Sequence, residues 1–276
     1  MARSILIPLV ALTLAILPQP ALGSPLCGGR PATIVARGYD EVVGTPEQDV
    51  IVGDVGENVI SAGGGDDFVC GGGGPDTIYG GDGNDRLHGG RGPDRLYGDA
   101  GEDRLFGGRG SDPELEGGSG VDLVDGGQGI DGVYFGQENL AGPIRVDLGD
   151  DSAVTADGSE VVRYIENVSM NCSARQADVL LGDAGPNILV GGSGHDIIRG
   201  RGGKDDLFGG DPSQGVSDAV CTDDDGRDRL FGGRGDDDLA GQLNWDHLDG
   251  GPGKDRLDGG GGTDRCIRGE FHSGCE

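Results

Sequence analysis

Residues 71–106 read GGGGPDTIY, GGDGNDRLH, GGRGPDRLY and GDAGEDRLF, four consecutive blocks of nine. Each fits one template, G-G-x-G-x-D-x-U-x, in which U is a large apolar residue. Moving outward, 44–52 (GTPEQDVIV), 53–61 (GDVGENVIS) and 62–70 (AGGGDDFVC) are weaker copies in the same phase. Block 107–116 (GGRGSDPELE) carries one extra residue, which puts Leu115 in the U slot, and 117–125 and 126–134 follow in shifted phase. A second run begins at 173 with SARQADVLL and continues through 182–190, 191–199 and 200–208. After an interruption at 209–222 it resumes as DDDGRDRLF (223–231) and runs in blocks to 267. Position six is Asp in every block except at Asn58 and Asn187.

The period has a physical reading. The triplet x-U-x suits a short strand, because neighbouring side chains point to opposite faces. The six preceding residues, glycine at three positions, must bend sharply. Two such halves close one coil, so residues 18 apart stack and the U residues fall between two parallel sheets. One block cannot bury its apolar residue alone, so the fold exists only as an array. The expectation is an all-β parallel β-roll solenoid with a first array at 44–134 and a second at 173–267. An N-terminal cap at 24–43, an irregular connector at 135–172 and a tail at 268–276 complete it.

Composition sets further bounds. With 61 Gly and 13 Pro in 276 residues, the chain would read as low complexity were the glycines not periodic. Forty-nine acids against 21 Lys and Arg give a net charge of −28, which repels phosphate backbones and excludes a nucleic-acid partner. Stacking the repeats brings acids close together, and that repulsion calls for a cation. Carboxylates with turn carbonyls make an all-oxygen shell, which suits Ca²⁺ rather than Zn²⁺. Carboxylates 18 residues apart are expected to flank one ion between successive turns, so ion binding becomes folding free energy. Acidification toward about pH 4 is then expected to release calcium and loosen the array.

The template resembles the repeats-in-toxin, or haemolysin-type, calcium-binding family, over roughly residues 44–267. The resemblance implies a parallel β-roll whose turns hold Ca²⁺ through the Asp side chain and backbone carbonyls. Carried onto this chain, the implied ligands are Asp67, Asp76, Asp85, Asp94, Asp103, Asp112 and Asp122 in the first array. In the second they are Asp196, Asp205, Asp228, Asp237, Asp246, Asp255 and Asp264. Asn58 and Asn187 lower the ligand charge, and Gln176 and Asn244 replace the fourth-position glycine, which weakens the turns beside them. Rolls of this family also occur as tails of secreted hydrolases. Here only the connector and short ends lie outside the arrays, too little for an independent catalytic domain.

Residues 1–23 read as a cleavable export signal: Arg3 supplies the charged start, 5–17 the apolar stretch, and small residues end at Gly23. The apolar stretch is too short to span a bilayer. The expected location is therefore secreted and extracellular, an oxidising setting. Six cysteines there favour disulfides, with 15 possible pairings. Position along the chain favours Cys27–Cys70 as a clamp on the entering chain, Cys172–Cys221 across the irregular stretches, and Cys266–Cys275 as a terminal staple. None of His88, His195, His247 and His272 sits in H-E-x-x-H, and neither a serine elbow nor a phosphate loop is present. The expectation is a protein that is not an enzyme. Tyr79 and Tyr97, and likewise His88 and Phe106, are 18 apart and should stack outside. Such ladders protect a sheet surface or form a strip for a cell-wall glycan or surface protein.

Overall fold

The computed structural model describes residues 25–36, 41–136, 142–170, 176–210 and 226–276. The expected export signal and the Cys172–Cys221 pair lie outside these residues. Two long sheets, of 14 and 12 strands among the described residues, face each other along the whole chain. Successive strands alternate between them. Phe68–Gly73, Arg86–Arg91 and Arg104–Arg109 belong to the first sheet, Thr77–Asp82 and Arg95–Ala100 to the second. The register step is 18 residues, Val69 to Leu87 to Leu105 on one side and Ile78 to Leu96 on the other. The inserted residue at 107–116 makes one step in each sheet 19, from Leu96 to Leu115 and from Leu105 to Val124.

The core is what the period requires. Ile60, Ile78, Leu96 and Leu115 of one sheet meet Ile51, Val69, Leu87 and Leu105 of the other, all with no exposure. Each such side chain contributes on the order of 1.5–3 kcal/mol by burial. Leu180, Ile198, Leu230 and Leu248, opposite Leu189, Leu207, Leu239 and Leu257, continue the same column.

Strands are longer than the x-U-x triplet. Several run six residues, through the first three positions of the next block, with Gly63 paired to Gly81 and Gly72 to Gly90. The bend is confined to positions four to six. The second glycine of each pair keeps the ladder at positive φ: Gly90 has φ +115, and a Cβ there would lie 2.3 Å from the Gly72 carbonyl oxygen. Gly90→Ala combines a forbidden φ with a backbone collision. It should cost at least about 2–3 kcal/mol, read as a lower thermal midpoint at saturating calcium. An unchanged midpoint would refute this account of the ladder.

The two arrays form one solenoid. In the 12-stranded sheet, Gly132–Phe135, Asn167–Met170 and Ile188–Val190 pair in parallel without interruption. In the other sheet the connector inserts Arg145–Asp147, Ser152–Val154 and Ser159–Arg163, a meander whose middle strand is antiparallel to its neighbours. Its Val146, Ala153 and Val162 are buried, so the connector is itself core. Arg201 clamps the junction with two hydrogen bonds to Asp147, at 2.7 and 2.9 Å.

The coil also begins before the first legible block. Ile34–Val35 pairs with Val50–Val52, and Glu41–Val43 with Val59–Gly64, both in parallel. Among the described residues only Leu26–Cys27 with Arg30–Pro31 forms a separate antiparallel pair. At the far end, Phe271–Ser273 is still a rung, paired with Arg256–Asp258. The Cys27–Cys70 and Cys266–Cys275 disulfides are formed, one at each end.

The interruption sits inside a turn. Gly209, not Asp223, holds position one of the turn that ends at Asp228. Its N–H bonds the Ala240 carbonyl at 2.9 Å, and a Cβ there would meet Asp228 Oδ2 at 2.4 Å, as at the other first-position glycines. Asp228 follows Gly209 by 19 residues rather than the template's five, so 14 extra residues enter between two positions of one turn.

Candidate metal centre

Position six lies at each edge of the solenoid, where a strand is about to begin, and parallel pairing stacks these residues in two columns. One runs Asp49, Asp67, Asp85, Asp103, Asp122; the other runs Asn58, Asp76, Asp94, Asp112, Asp131. All of these side chains are at most 6% exposed. The link is the same at every step. The backbone N–H of one position-six residue donates to Oδ1 of the next, at 2.7 Å from Asp85 to Asp103 and 2.8 Å from Asp76 to Asp94. In the second array Asp196, Asp228, Asp246 and Asp264 accept in the same way, as do Asp205, Asp237 and Asp255. The fourteen carboxylates singled out from the repeat therefore share one geometry.

The second oxygen is the unusual one. Oδ2 of Asp67, Asp76, Asp85, Asp94, Asp103, Asp112, Asp122, Asp205, Asp237, Asp255 and Asp264 is buried without a hydrogen-bond partner in the protein. Except at Asp67, whose turn opens with Ala62, it rests against the first-position glycine of its own turn. A Cβ on Gly71 would lie 2.4 Å from Asp76 Oδ2 and 2.8 Å from the Gly89 carbonyl oxygen of the next coil. At Gly80 the same point is 2.4 Å from Asp85 Oδ2 and 2.7 Å from the Gly98 carbonyl. Glycine is needed there because a side chain would fill the space where a bare carboxylate oxygen and a carbonyl converge.

Burial is expensive for such a charge. Desolvation is the largest influence on each of these carboxyls and outweighs the backbone N–H that stabilises the anion. Column neighbours push in the same direction at Asp67, Asp94, Asp103 and Asp205, and acidic residues outside the columns do so at Asp76, Asp85 and Asp122. Asp67, Asp94 and Asp205 are raised to about 7, Asp103 to about 8, and Asp76, Asp85 and Asp122 to about 6. Asp112, Asp237, Asp255 and Asp264 are raised by the same burial. Among the described residues no three His, Cys, Asp or Glu side chains gather at one point. A cation held here would draw one or two carboxylates and complete its shell with carbonyls, and the donor set is hard oxygen throughout. The arrangement fits Ca²⁺.

Turns that depart from the template satisfy themselves. Asn58 Oδ1 accepts from the Asp54 N–H at 3.0 Å, and Asn187 Oδ1 from the Asp183 N–H at 2.9 Å. Asp49 Oδ2 accepts from the Thr45 N–H and hydroxyl, both at 2.9 Å. Asn244 keeps the backbone of the missing glycine, with φ +72.

Besides Asp49, four acidic column members were not among the expected ligands. Asp131 and Asp178 are buried at position six and accept from the Asp112 and Ile144 N–H groups. Glu160 and Glu166 take position six in the connector, because Val161 pairs with Leu123 and Asn167 with Gly132. Glu166 Oε2 accepts from the Asp131 N–H at 2.8 Å. The signal was present: Glu160-Val161-Val162 and Glu166-Asn167-Val168 are D-x-U with glutamate for aspartate.

No curated protein matches this chain. A family model for the RTX calcium-binding nonapeptide repeat, built of four copies, matches residues 43–78, 79–112, 114–133, 177–211, 222–244 and 241–271. These segments cover well over half of the chain and coincide with the coils that carry the carboxylate columns. The chain belongs to the family of RTX calcium-binding nonapeptide repeat proteins.

Proposed function

We propose that calcium binding in this protein is coupled to folding, with ions held along both edges by the fourteen position-six carboxylates and the carbonyls of adjoining turns. The observation that carries this is the set of buried Oδ2 atoms without a partner, set beside a glycine carbonyl of the next coil at Asp76, Asp85, Asp103, Asp112, Asp205, Asp237 and Asp264, and beside the Arg268 carbonyl at Asp255. Ionised in the dry interior they destabilise the fold; neutralised by Ca²⁺ they hold coil to coil. Asp94→Ala removes one such oxygen from the middle of the first array. It should raise the calcium midpoint for folding about tenfold, equivalent to about 1.4 kcal/mol, in a titration followed by circular dichroism. An identical midpoint would remove Asp94 from the ligand set.

The chain is read as exported through residues 1–23, extracellular, and structural or adhesive rather than enzymatic. Support comes from the parallel coil, which takes up nearly all described residues. No helix among them is long and apolar enough to cross a membrane. The outer faces favour an adhesive role. Tyr79 and Tyr97 stack with centroids 4.8 Å apart, and His88 and Phe106 with centroids 4.6 Å apart, flanked by the exposed Arg86 and Arg104. Rings and guanidinium groups in register suit a glycan or a surface protein. Replacing Tyr79, Tyr97 and Phe106 together with alanine should abolish retention on isolated cell walls while calcium-loaded circular dichroism stays unchanged. Undiminished retention would reduce the ladders to sheet protection.

A further inference from the structure

The column through Asp122 ends differently from the others. Its next member is Glu160, and there the coil gives way to the antiparallel strand Ser152–Val154, which turns back through Thr155–Gly158 and not through a six-residue template turn. Glu160 is only 4% exposed, and its Oε1 has no hydrogen-bond partner. Asp122, 3% exposed, presents its own unpartnered Oδ2 on the adjacent coil. Parallel pairing sets the two strands roughly 4.8 Å apart. Thr155 lies beside Glu160, and the loop carrying Asp157 covers the edge, with Asp157 Oδ2 accepting from the Gly120 N–H at 3.3 Å. Among the described residues no lysine or arginine pairs with Glu160 or Asp122. Two desolvated carboxyl groups on adjacent paired strands, without a counter-charge, call for either a proton or a cation.

We propose that Glu160 and Asp122 together hold a divalent cation at the end of the first array, a site built by the connector and not by the nonapeptide template. It rests on the calcium reading of the columns. The glutamate side chain, one methylene longer than aspartate, reaches toward Asp122 where no following turn supplies carbonyls. The site joins the last template coil to the meander, so its ion ties the first array to the connector.

Glu160→Gln separates the two neutralising agents. Glutamine matches a protonated glutamate in shape and hydrogen bonding but offers no anionic oxygen to a metal. Native mass spectrometry of the oxidised chain at saturating calcium should find one ion fewer in E160Q than in the unaltered protein, with equal circular dichroism. The same ion count in both would overturn the proposal in favour of a proton. A crystal of the unaltered protein grown in calcium gives a second reading that does not depend on the variant folding. Density for an ion between Asp122 and Glu160 supports the site. Ions elsewhere in the columns but none here overturn it alone, whereas an unaltered protein that binds no calcium at all overturns the wider reading with it.

Discussion

In a chelator at neutral pH, with its disulfides intact, the chain should lose most of its β circular dichroism and regain it cooperatively as calcium is added. The reason lies in the edges rather than the core. Among the described residues at least eleven aspartate Oδ2 atoms of the columns are buried without a partner, and an ionised carboxylate taken out of water costs several kcal/mol even after relaxation. Native proteins are stable by only about 5–15 kcal/mol in total. A few such sites left ionised would exceed that margin. The single buried apolar residue of each block cannot compensate, because the core is one side chain wide on each sheet. The ends should resist longest: Asp49 and Asn58 are satisfied by Thr45 and Asp54, and the Cys27–Cys70 and Cys266–Cys275 bridges hold the terminal coils. Size-exclusion chromatography should show the chelated chain expanded. A chelated sample that stays compact with full β signal at neutral pH would contradict the account.

The repeat made the sheets, the core column and the position-six carboxylates legible, because one residue per block must be apolar and one must be Asp for the coil to close. What the template hid follows from its own tolerance. The first coil, through Ile34 and Val42, lacks the glycine signature because Thr33 supplies the bonds: its hydroxyl donates to Asp49 Oδ1 at 2.9 Å and accepts from the Val50 N–H. The sequence places the start of the last turn before Arg229 at Asp223, because 14 residues inserted between positions one and six leave no local mark of which glycine keeps its place. Glu160 and Glu166 escape the template because it specifies aspartate at position six. Only the register, which sets them beside Asp122 and Asp131, shows them to be equivalent. The side chains that pin the connector, Asp147 and Arg201, are 54 residues apart and follow no period.

The stability of the metal-free chain should depend on pH in the opposite sense to that of the calcium-loaded one. Asp67, Asp94 and Asp205 are displaced upward from 3.8 to about 7 by burial, and Asp103 to about 8. A carboxyl with a raised pKa holds its proton in the folded state over a range where the unfolded chain has released it. Below about pH 4 both states are protonated, and the full benefit of the neutral form is present. Between about pH 4 and 8 the folded chain binds more protons than the unfolded, so stability falls as pH rises, by on the order of a few kcal/mol per carboxyl. Above that range the loss is complete. With calcium the direction reverses, because the ion competes with protons for the same oxygens and its affinity grows as they leave. Acid should thus release the metal without by itself loosening the array, since the proton would neutralise the columns in place of the ion. Thermal midpoints recorded with calcium and with chelator should lie close together near pH 4.5 and diverge steadily toward pH 8. Parallel curves, or a chelated midpoint that climbs with pH, would show that the buried carboxylates are not what the metal stabilises.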